Sequence, residues 1–313
     1  MLLTARKHVS QHAYHTPLLT SRLLSEATGY DVRLKAECFQ RTGSYKFRGP
    51  LNKIAQMTPD QRARGVICSS AGNHSQGVAL AARINDVRAV VVMAQNATPS
   101  KIAATKSYGA EVVLHGSIWD EANDKALELV ESEGLTYIHP FDDLDLIAGQ
   151  GSLGMEIIDD FPDVDAVVVP IGGGGLISGV SSALKAFRPE SKIIGVESSD
   201  GPAMQRSLTD GTVRRYQDIN TIIDGLRVQR VGQNNFSIVR DLVDDIVTLP
   251  DSQIFEALVW VMSHAKVVVE GAAAAPVGAL LQGLIDMPPG CRVACVLSGG
   301  NLDLRQLEGM RWN

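Results

Sequence analysis

The chain has 313 residues, 45% of them hydrophobic and 20% charged, with a net charge of -6 and a pI near 5.7. No basic footprint for nucleic acid follows from that balance, and a single core stops growing at roughly 250 to 300 residues, so two lobes are expected. The most apolar long stretch, 267–285, is interrupted by Glu270, Pro276 and Gln282 and is rich in glycine and alanine, which predicts a buried helix and not a membrane span.

Residues 1–15 carry Arg6, Lys7 and three histidines but no apolar run of signal-peptide length, so export is not expected. A short strand over 34–37 feeds the segment Cys38-Phe39-Gln40-Arg41-Thr42-Gly43-Ser44-Tyr45-Lys46-Phe47-Arg48-Gly49. Helical spacing then runs over 48–57, and Pro50 fits only near its start, which places the helix beginning close to Lys46. A lysine among small residues at a helix start is by itself most often a solvated charge. The alternative is an amine that must attack a carbonyl, for which a fixed approach and a lowered pKa are needed.

From residue 65 strands and helices alternate: strand 66–68, helix 77–84, strand 89–93, helix 100–108, strand 111–114, helix 118–133, strand 136–139. Short connections and apolar strands predict a parallel sheet covered on both faces, a small lobe over 65–142. A second alternation follows Gly149-Gln150-Gly151: a helix to about 160, strand 166–169, a glycine run, a helix to 187 and strand 192–197. Residues 207–233 show no clear pattern. Strand 245–249, helix 252–264, the glycine- and alanine-rich helix and strand 292–297 complete a large lobe over 1–64 and 143–313. Cys38, Cys68, Cys291 and Cys295 form no CxxC pair, which predicts reduced, buried thiols in a cytoplasmic protein.

Three motifs sit directly after apolar strands, where ligands bind in open α/β sheets. Gly172, Gly173, Gly174 and Gly175 join a strand to a helix, and a glycine loop at a helix N-terminus suits a phosphate. A P-loop is excluded because Val180 and Ser181 follow Gly179, and a GxGxxG fails at Ile177. Ser69-Ser70-Ala71-Gly72-Asn73-His74 is either a helix N-cap or a carboxylate loop. Ser298-Gly299-Gly300-Asn301 ends the last strand.

Together with the Lys46 segment, this ordered set resembles the fold-type II pyridoxal-phosphate enzymes, and within them the serine/threonine ammonia-lyase (dehydratase) and serine racemase family, over nearly the whole chain. The resemblance implies an α/β fold of two lobes, each with a mostly parallel sheet flanked by helices, and an active site in the cleft between them. It implies that Lys46 holds pyridoxal 5'-phosphate as an imine and removes the α-proton of the substrate. It further implies that Gly172, Gly173, Gly174 and Gly175 bind the phosphate, that Asn73 lies against the ring hydroxyl oxygen, and that Ser298 bonds the pyridine nitrogen. Ser70, Ala71, Gly72, Asn73 and His74 would receive the substrate carboxylate. The implied activity is elimination of water from a small L-3-hydroxy amino acid, L-threonine or L-serine, giving a 2-oxo acid and ammonia; a homodimer is implied as well.

Alternatives stay open at this point. Another 3-hydroxy amino acid, such as threo-3-hydroxyaspartate or an aryl-serine, would be chosen by a side-chain pocket expected near Phe141 and Ser237. Racemisation needs an acid/base on each face of the α-carbon, and Ala71 stands where racemases carry a serine. A non-catalytic amino-acid- or phosphate-binding protein would have no use for Lys46. The divalent cation (Mg, Ca or Mn) held by many members matches at Glu197 and the carbonyl of Gly201, but the expected aspartate is replaced by Ala203 and Asp200 is out of register, which leaves a cation open. No regulatory domain, and no feedback control by isoleucine through one, is expected after Ser298.

Overall fold

The computed structural model describes residues 1–307; residues 308–313, the tail of the expected large lobe, lie outside the described residues. In chain order the elements are α1 (Leu2–Ser10), β1 (Leu18–Thr20), α2 (Arg22–Thr28), β2 (Asp31–Ala36), α3 (Arg48–Ala55) and α4 (Pro59–Arg64). Then follow β3 (Val66–Ser69), α5 (Asn73–Ile84), β4 (Ala89–Met93), α6 (Pro99–Ser107), β5 (Glu111–Leu114), α7 (Trp119–Glu133) and β6 (Thr136–Tyr137). The remainder is α8 (Leu144–Asp160), β7 (Ala166–Pro170), α9 (Gly175–Phe187), β8 (Lys192–Ser198), α10 (Ala203–Asp210), α11 (Gln233–Leu242), β9 (Asp245–Leu249), α12 (Asp251–Trp260), α13 (Gly271–Leu281) and β10 (Arg292–Leu297).

Two sheets result. The larger runs β1-β2-β10-β7-β8-β9, parallel throughout except for the antiparallel edge strand β1; the smaller runs β5-β4-β3-β6 and is wholly parallel. Central strands β4 (AVVVM) and β7 (AVVVP) are buried at every residue, as a strand covered by helices on both faces requires. Separate apolar clusters fill the two faces of each sheet. Phe47, Leu51 and Ile54 join the cluster of the smaller sheet, so α3 packs against both lobes' elements, contacting α5 and α8.

Several boundaries differ from the sequence reading. Helix α8 starts at Leu144, capped by the Asp143 carboxylate, which accepts from Asp145 N and Leu146 N, so Gly149-Gln150-Gly151 lies inside a helix and does not precede one. Those glycines serve packing: a β-carbon at Gly149 would stand 2.7 Å from Arg48 O and 2.8 Å from Gly49 Cα. Asn73 and His74 belong to the first turn of α5 and not to a loop. Helix α10 begins at Ala203, ahead of the stretch without a pattern, and ends inside it at Asp210, while the glycine- and alanine-rich helix is confined to Gly271–Leu281, with Pro276 inside it.

The lysine segment is bolted down by a buried ion network. Arg48, 0% exposed, donates to both oxygens of Glu37 at 2.7 Å each and to both oxygens of Glu156 at 2.6 and 2.8 Å; Lys35, also 0% exposed, pairs with Glu156 at 2.8 Å. Removing one partner of such a cluster leaves a charge buried without compensation, which costs roughly 3–5 kcal/mol. Arg48→Ala is therefore expected to lower the thermal unfolding midpoint by on the order of 10 °C, read by differential scanning calorimetry.

Candidate active site

β2, β3, β7 and β10 each deliver one motif from their carboxyl ends. After β2 the chain makes a short tight helical turn, Tyr45–Phe47, that carries Lys46 immediately before α3. Ser70, Ala71 and Gly72 form the loop after β3, and Asn73 and His74 open α5. Gly172, Gly173 and Gly174 span β7 to α9, and Gly175 is the first residue of α9; Gly174 takes φ +96°, open to glycine at little cost. Ser298, 3% exposed, follows β10.

Hydrogen bonds join these loops into one site. Tyr45 N donates to Ser298 O (3.0 Å) and Gly300 N to Gly43 O (2.9 Å), pairing the lysine segment with the serine loop. The Asn301 side-chain amide donates to Thr42 O and to Asn73 Oδ1, both at 2.8 Å, which brings in α5. Asn73 Nδ2 in turn donates to both oxygens of Glu270 at 2.8 and 2.9 Å. On the other side Lys46 Nζ donates to Pro140 O at 2.7 Å, while the Asn235 side chain donates to Phe141 O and Gly173 O. A β-carbon at Gly173 would run into the Phe141 ring, so glycine there lets the turn at 139–142 lie on the loop.

The electrostatics make the Lys46 amine easier to discharge. Burial lowers the Lys46 pKa to about 8, although the Glu270 charge opposes the shift. Burial raises Glu270, with the Asn73 hydrogen bonds working against it. His74, 4% exposed, gives its Nε2 proton to Ile138 O at 2.9 Å, and burial pushes its pKa down to about 3, so the ring is neutral.

The residues present fit pyridoxal phosphate. A neutralisable amine faces the cleft, and the first N–H groups of α9 have no carbonyl one turn back to bond. Buried hydroxyls of Thr42, Ser44 and Ser178 have no partner among the described residues, as expected where polar groups await a polar guest. A family model described as pyridoxal-phosphate dependent enzyme matches residues 9–299. The chain belongs to that family. An L-threonine ammonia-lyase of Thermotoga maritima is 46% identical over 97% of this chain and 75% of its own length. A catabolic L-threonine dehydratase of Escherichia coli K12 is 41% identical over 98% of this chain and 94% of its own. Among solved structures, processed threonine deaminase isoform 2 of Solanum lycopersicum superposes with a TM-score of 0.94 at 36% identity, covering 98% of this chain and 90% of that one. Maize serine racemase also gives 0.94, at 32% identity, with 98% and 94% covered. The fold is thus that of the fold-type II pyridoxal-phosphate enzymes.

The expected cation residues are arranged differently from a metal site. Glu197, 2% exposed, uses both carboxylate oxygens to accept from Met204 N and Gln205 N at 2.8 Å each, capping the first turn of α10 that Ala203 opens. Burial pushes its pKa up to about 7, against those two bonds. Asp200 accepts from Asp251 N, and among the described residues no group of three or more His, Cys, Asp or Glu is placed to hold a metal. Ser237 bonds within its own helix, to Gln233 O at 3.2 Å, whereas Phe141 lies on the glycine loop. Glu270, Asn235 and His139 entered the site unannounced, since their partners are backbone groups or side chains far away in sequence.

Two outcomes follow. In the cofactor-free protein Lys46 should react with a small amine reagent with a midpoint near pH 8, well below the ordinary lysine value of 10.5, as mapped by mass spectrometry. Gly173→Val should displace Phe141 and weaken retention of pyridoxal phosphate by about tenfold or more, the equivalent of some 1.4 kcal/mol, measured by titration of the cofactor-free protein.

Proposed function

We propose that this protein is an ammonia-lyase that removes water from a small L-3-hydroxy amino acid, with L-threonine and L-serine as leading substrates. The observation that carries the reading is a partly buried lysine amine, its pKa lowered to about 8, bonded to Pro140 O in a cleft where Ala71 offers no second acid or base. The names of the relatives at 46% and 41% identity support the substrate class.

Lys46 would carry the cofactor covalently and, released from it, take the α-proton of the substrate. Gly172, Gly173, Gly174 and Gly175, with the α9 N-terminus, would hold the phosphate; Asn73 would lie at the ring oxygen and Ser298 at the ring nitrogen. Pyridoxal phosphate, when bound, supplies the electron sink that acidifies the α-carbon. A hydroxyl at the ring nitrogen keeps that sink weaker than a carboxylate would, which suits elimination over transamination. The backbone N–H groups opening α5, with Ser70, Ala71, Gly72, Asn73 and His74, would receive the substrate carboxylate, and lowering of the lysine charge leaves the amine free to act near neutral pH. Loss of water and hydrolysis of the released enamine give the 2-oxo acid and ammonia.

In this reading the large lobe, 1–64 and 143–313, carries the cofactor, and the small lobe, 65–142, closes over the substrate. The protein would work as a cytoplasmic homodimer; four unpaired cysteines support the compartment, although only Cys68 and Cys295 are buried as expected and Cys38 and Cys291 are half-buried. The cation stays open: Glu197 accepts one backbone N–H on each carboxylate oxygen, so a divalent ion would have to share those oxygens with the first turn of α10.

The deciding experiment is 2-oxo acid release from L-threonine by the protein supplied with pyridoxal phosphate. Lys46→Ala should abolish both the visible absorbance of the lysine-bound cofactor and turnover; full activity in that variant would end the assignment. Removing divalent cations with a chelator should change kcat by less than about twofold, whereas a tenfold loss would restore a cation to the mechanism. The likeness to serine racemase sets the second reading, and chiral analysis of recovered L-serine decides it: with Ala71 in place, the configuration should be retained.

A further inference from the structure

The turn 139–142 connects the small sheet to the lysine, the glycine loop and α11, and one imidazole lone pair shapes it. His139 Nδ1 accepts from Phe141 N at 3.2 Å and from Asp142 N at 2.7 Å. An imidazole nitrogen that accepts two N–H groups carries no proton, so the neutral ring holds its hydrogen on Nε2. With the turn folded this way, Pro140 O meets the Lys46 amine at 2.7 Å and Phe141 O accepts from Asn235 Nδ2 at 3.1 Å. The Asp142 carboxylate accepts from Gln233 N and Asn234 N at 2.8 and 3.0 Å, tying the same turn to the start of α11. Strand β6, the lysine, the glycine loop and α11 therefore share one small piece of backbone, closed by two bonds to a side chain.

We propose that His139 is the positioning residue of Lys46: its unprotonated Nδ1 holds the turn whose Pro140 carbonyl orients the amine, and protonation of the ring releases that turn. An imidazolium has two N–H donors and no acceptor, so Phe141 N and Asp142 N would face a third N–H. The groups around the ring act in both directions. Asp142 and Asp143 favour its charged form, Lys46 opposes it, His74 stands by as a neutral ring, and burial is the largest influence, keeping His139 neutral. Tyr137 and Phe141 stand edge-on with ring centroids at 6.1 and 4.7 Å. Since burial lowers the pKa of the ring, the turn is intact at neutral pH and is lost only as pH falls below the ordinary histidine value. The inference rests on the reading that Lys46 carries the cofactor.

Two substitutions test it in the holoenzyme and in the cofactor-free protein. His139→Asn places an amide oxygen as many bonds from Cα as Nδ1, so it can accept both N–H groups, and it cannot be protonated. His139→Ala removes the acceptor. Absorbance of the lysine-bound cofactor, kcat and KM for L-threonine are followed from pH 8.5 to 5, circular dichroism checks the fold, and the pH midpoint of Lys46 labelling is measured without cofactor. The wild type should lose absorbance and kcat together on the acid side. His139→Asn should keep kcat at pH 8 within about fivefold and lose that acid limb. His139→Ala, while folded, should lose about tenfold or more in kcat with little change in KM, its Lys46 labelling midpoint rising by about one pH unit as the amine becomes solvated. The proposal is overturned by an identical acid limb in wild type and His139→Asn, or by a wild-type labelling midpoint and kcat in His139→Ala. Absence of any Lys46-dependent absorbance in the wild type would instead overturn the cofactor assignment of Lys46, and the labelling midpoint of the cofactor-free variants would still decide the role of His139.

Discussion

Keeping an amine short of water is the constraint on which the rest of this structure depends. Lysine is ordinarily the most reluctant side chain to leave solvent, and a lowered pKa is what desolvation of its charged form means in practice. Around Lys46 the fold meets that demand from several sides. The Pro140 carbonyl accepts one N–H, Glu270 leaves a partial electrostatic offset, and the Tyr45 ring lies 5.3 Å from the amine. Two residues on, Arg48 is paired through and through, so the turn bearing the lysine starts from a fixed base. A half-buried amine beside a fully compensated guanidinium divides the work cleanly: one cation is made easier to discharge, the other is held charged for structure.

Much of this was legible in the sequence because strands buried on both faces have to be written as unbroken apolar runs. Strands 89–93 and 292–297 were read with the bounds that β4 and β10 have, and the motifs at the strand ends fell at the cleft edge. Glycine misled the reading where it serves packing: Gly149 and Gly151 look like a break, yet α8 passes through them because α3 and α9 approach too closely for a β-carbon. Asn73 and His74 read as loop, because a helix whose cap is a glycine leaves no capping side chain in the sequence. Most of what was missed is long-range. Glu270 reaches Asn73 over 197 positions and Lys46 reaches Pro140 over 94, and no local pattern encodes such pairs.

Between the lobes the surface contributes little. Arg215 with Asp120 at 2.6 Å bridges them at the surface, and Lys101 with Asp224 at 3.4 Å does so at a pocket shared with Glu270 and Asn301, but these side chains are substantially exposed, and pairs of that kind are worth about 0–1 kcal/mol each. The bonds that connect the two sheets more firmly are those inside the cleft: Asn301 to Asn73, Asn73 to Glu270, and the turn at 139–142 against the glycine loop. Cohesion of the lobes and geometry of the site are consequently one property, and a ligand that adds bonds in the cleft would also tighten the molecule.

The order of strands in the larger sheet carries a consequence for how the chain is made. Its central position, between β2 and β7, belongs to β10, which pairs Val293 with Val32 and with Ala166. On a ribosome adding roughly 5–20 residues per second, β2 has to wait on the order of ten seconds to a minute for its neighbour while β7 waits beside it. Throughout that interval β2 presents an open edge, and from its synthesis onward so does the wholly apolar β7. The smaller sheet, whose four strands lie within 66–137, can close long before. Nascent chains are thus exposed to misassociation chiefly through the half that will bear the serine motif, and a chaperone that shields strand edges would act on that half, late in synthesis.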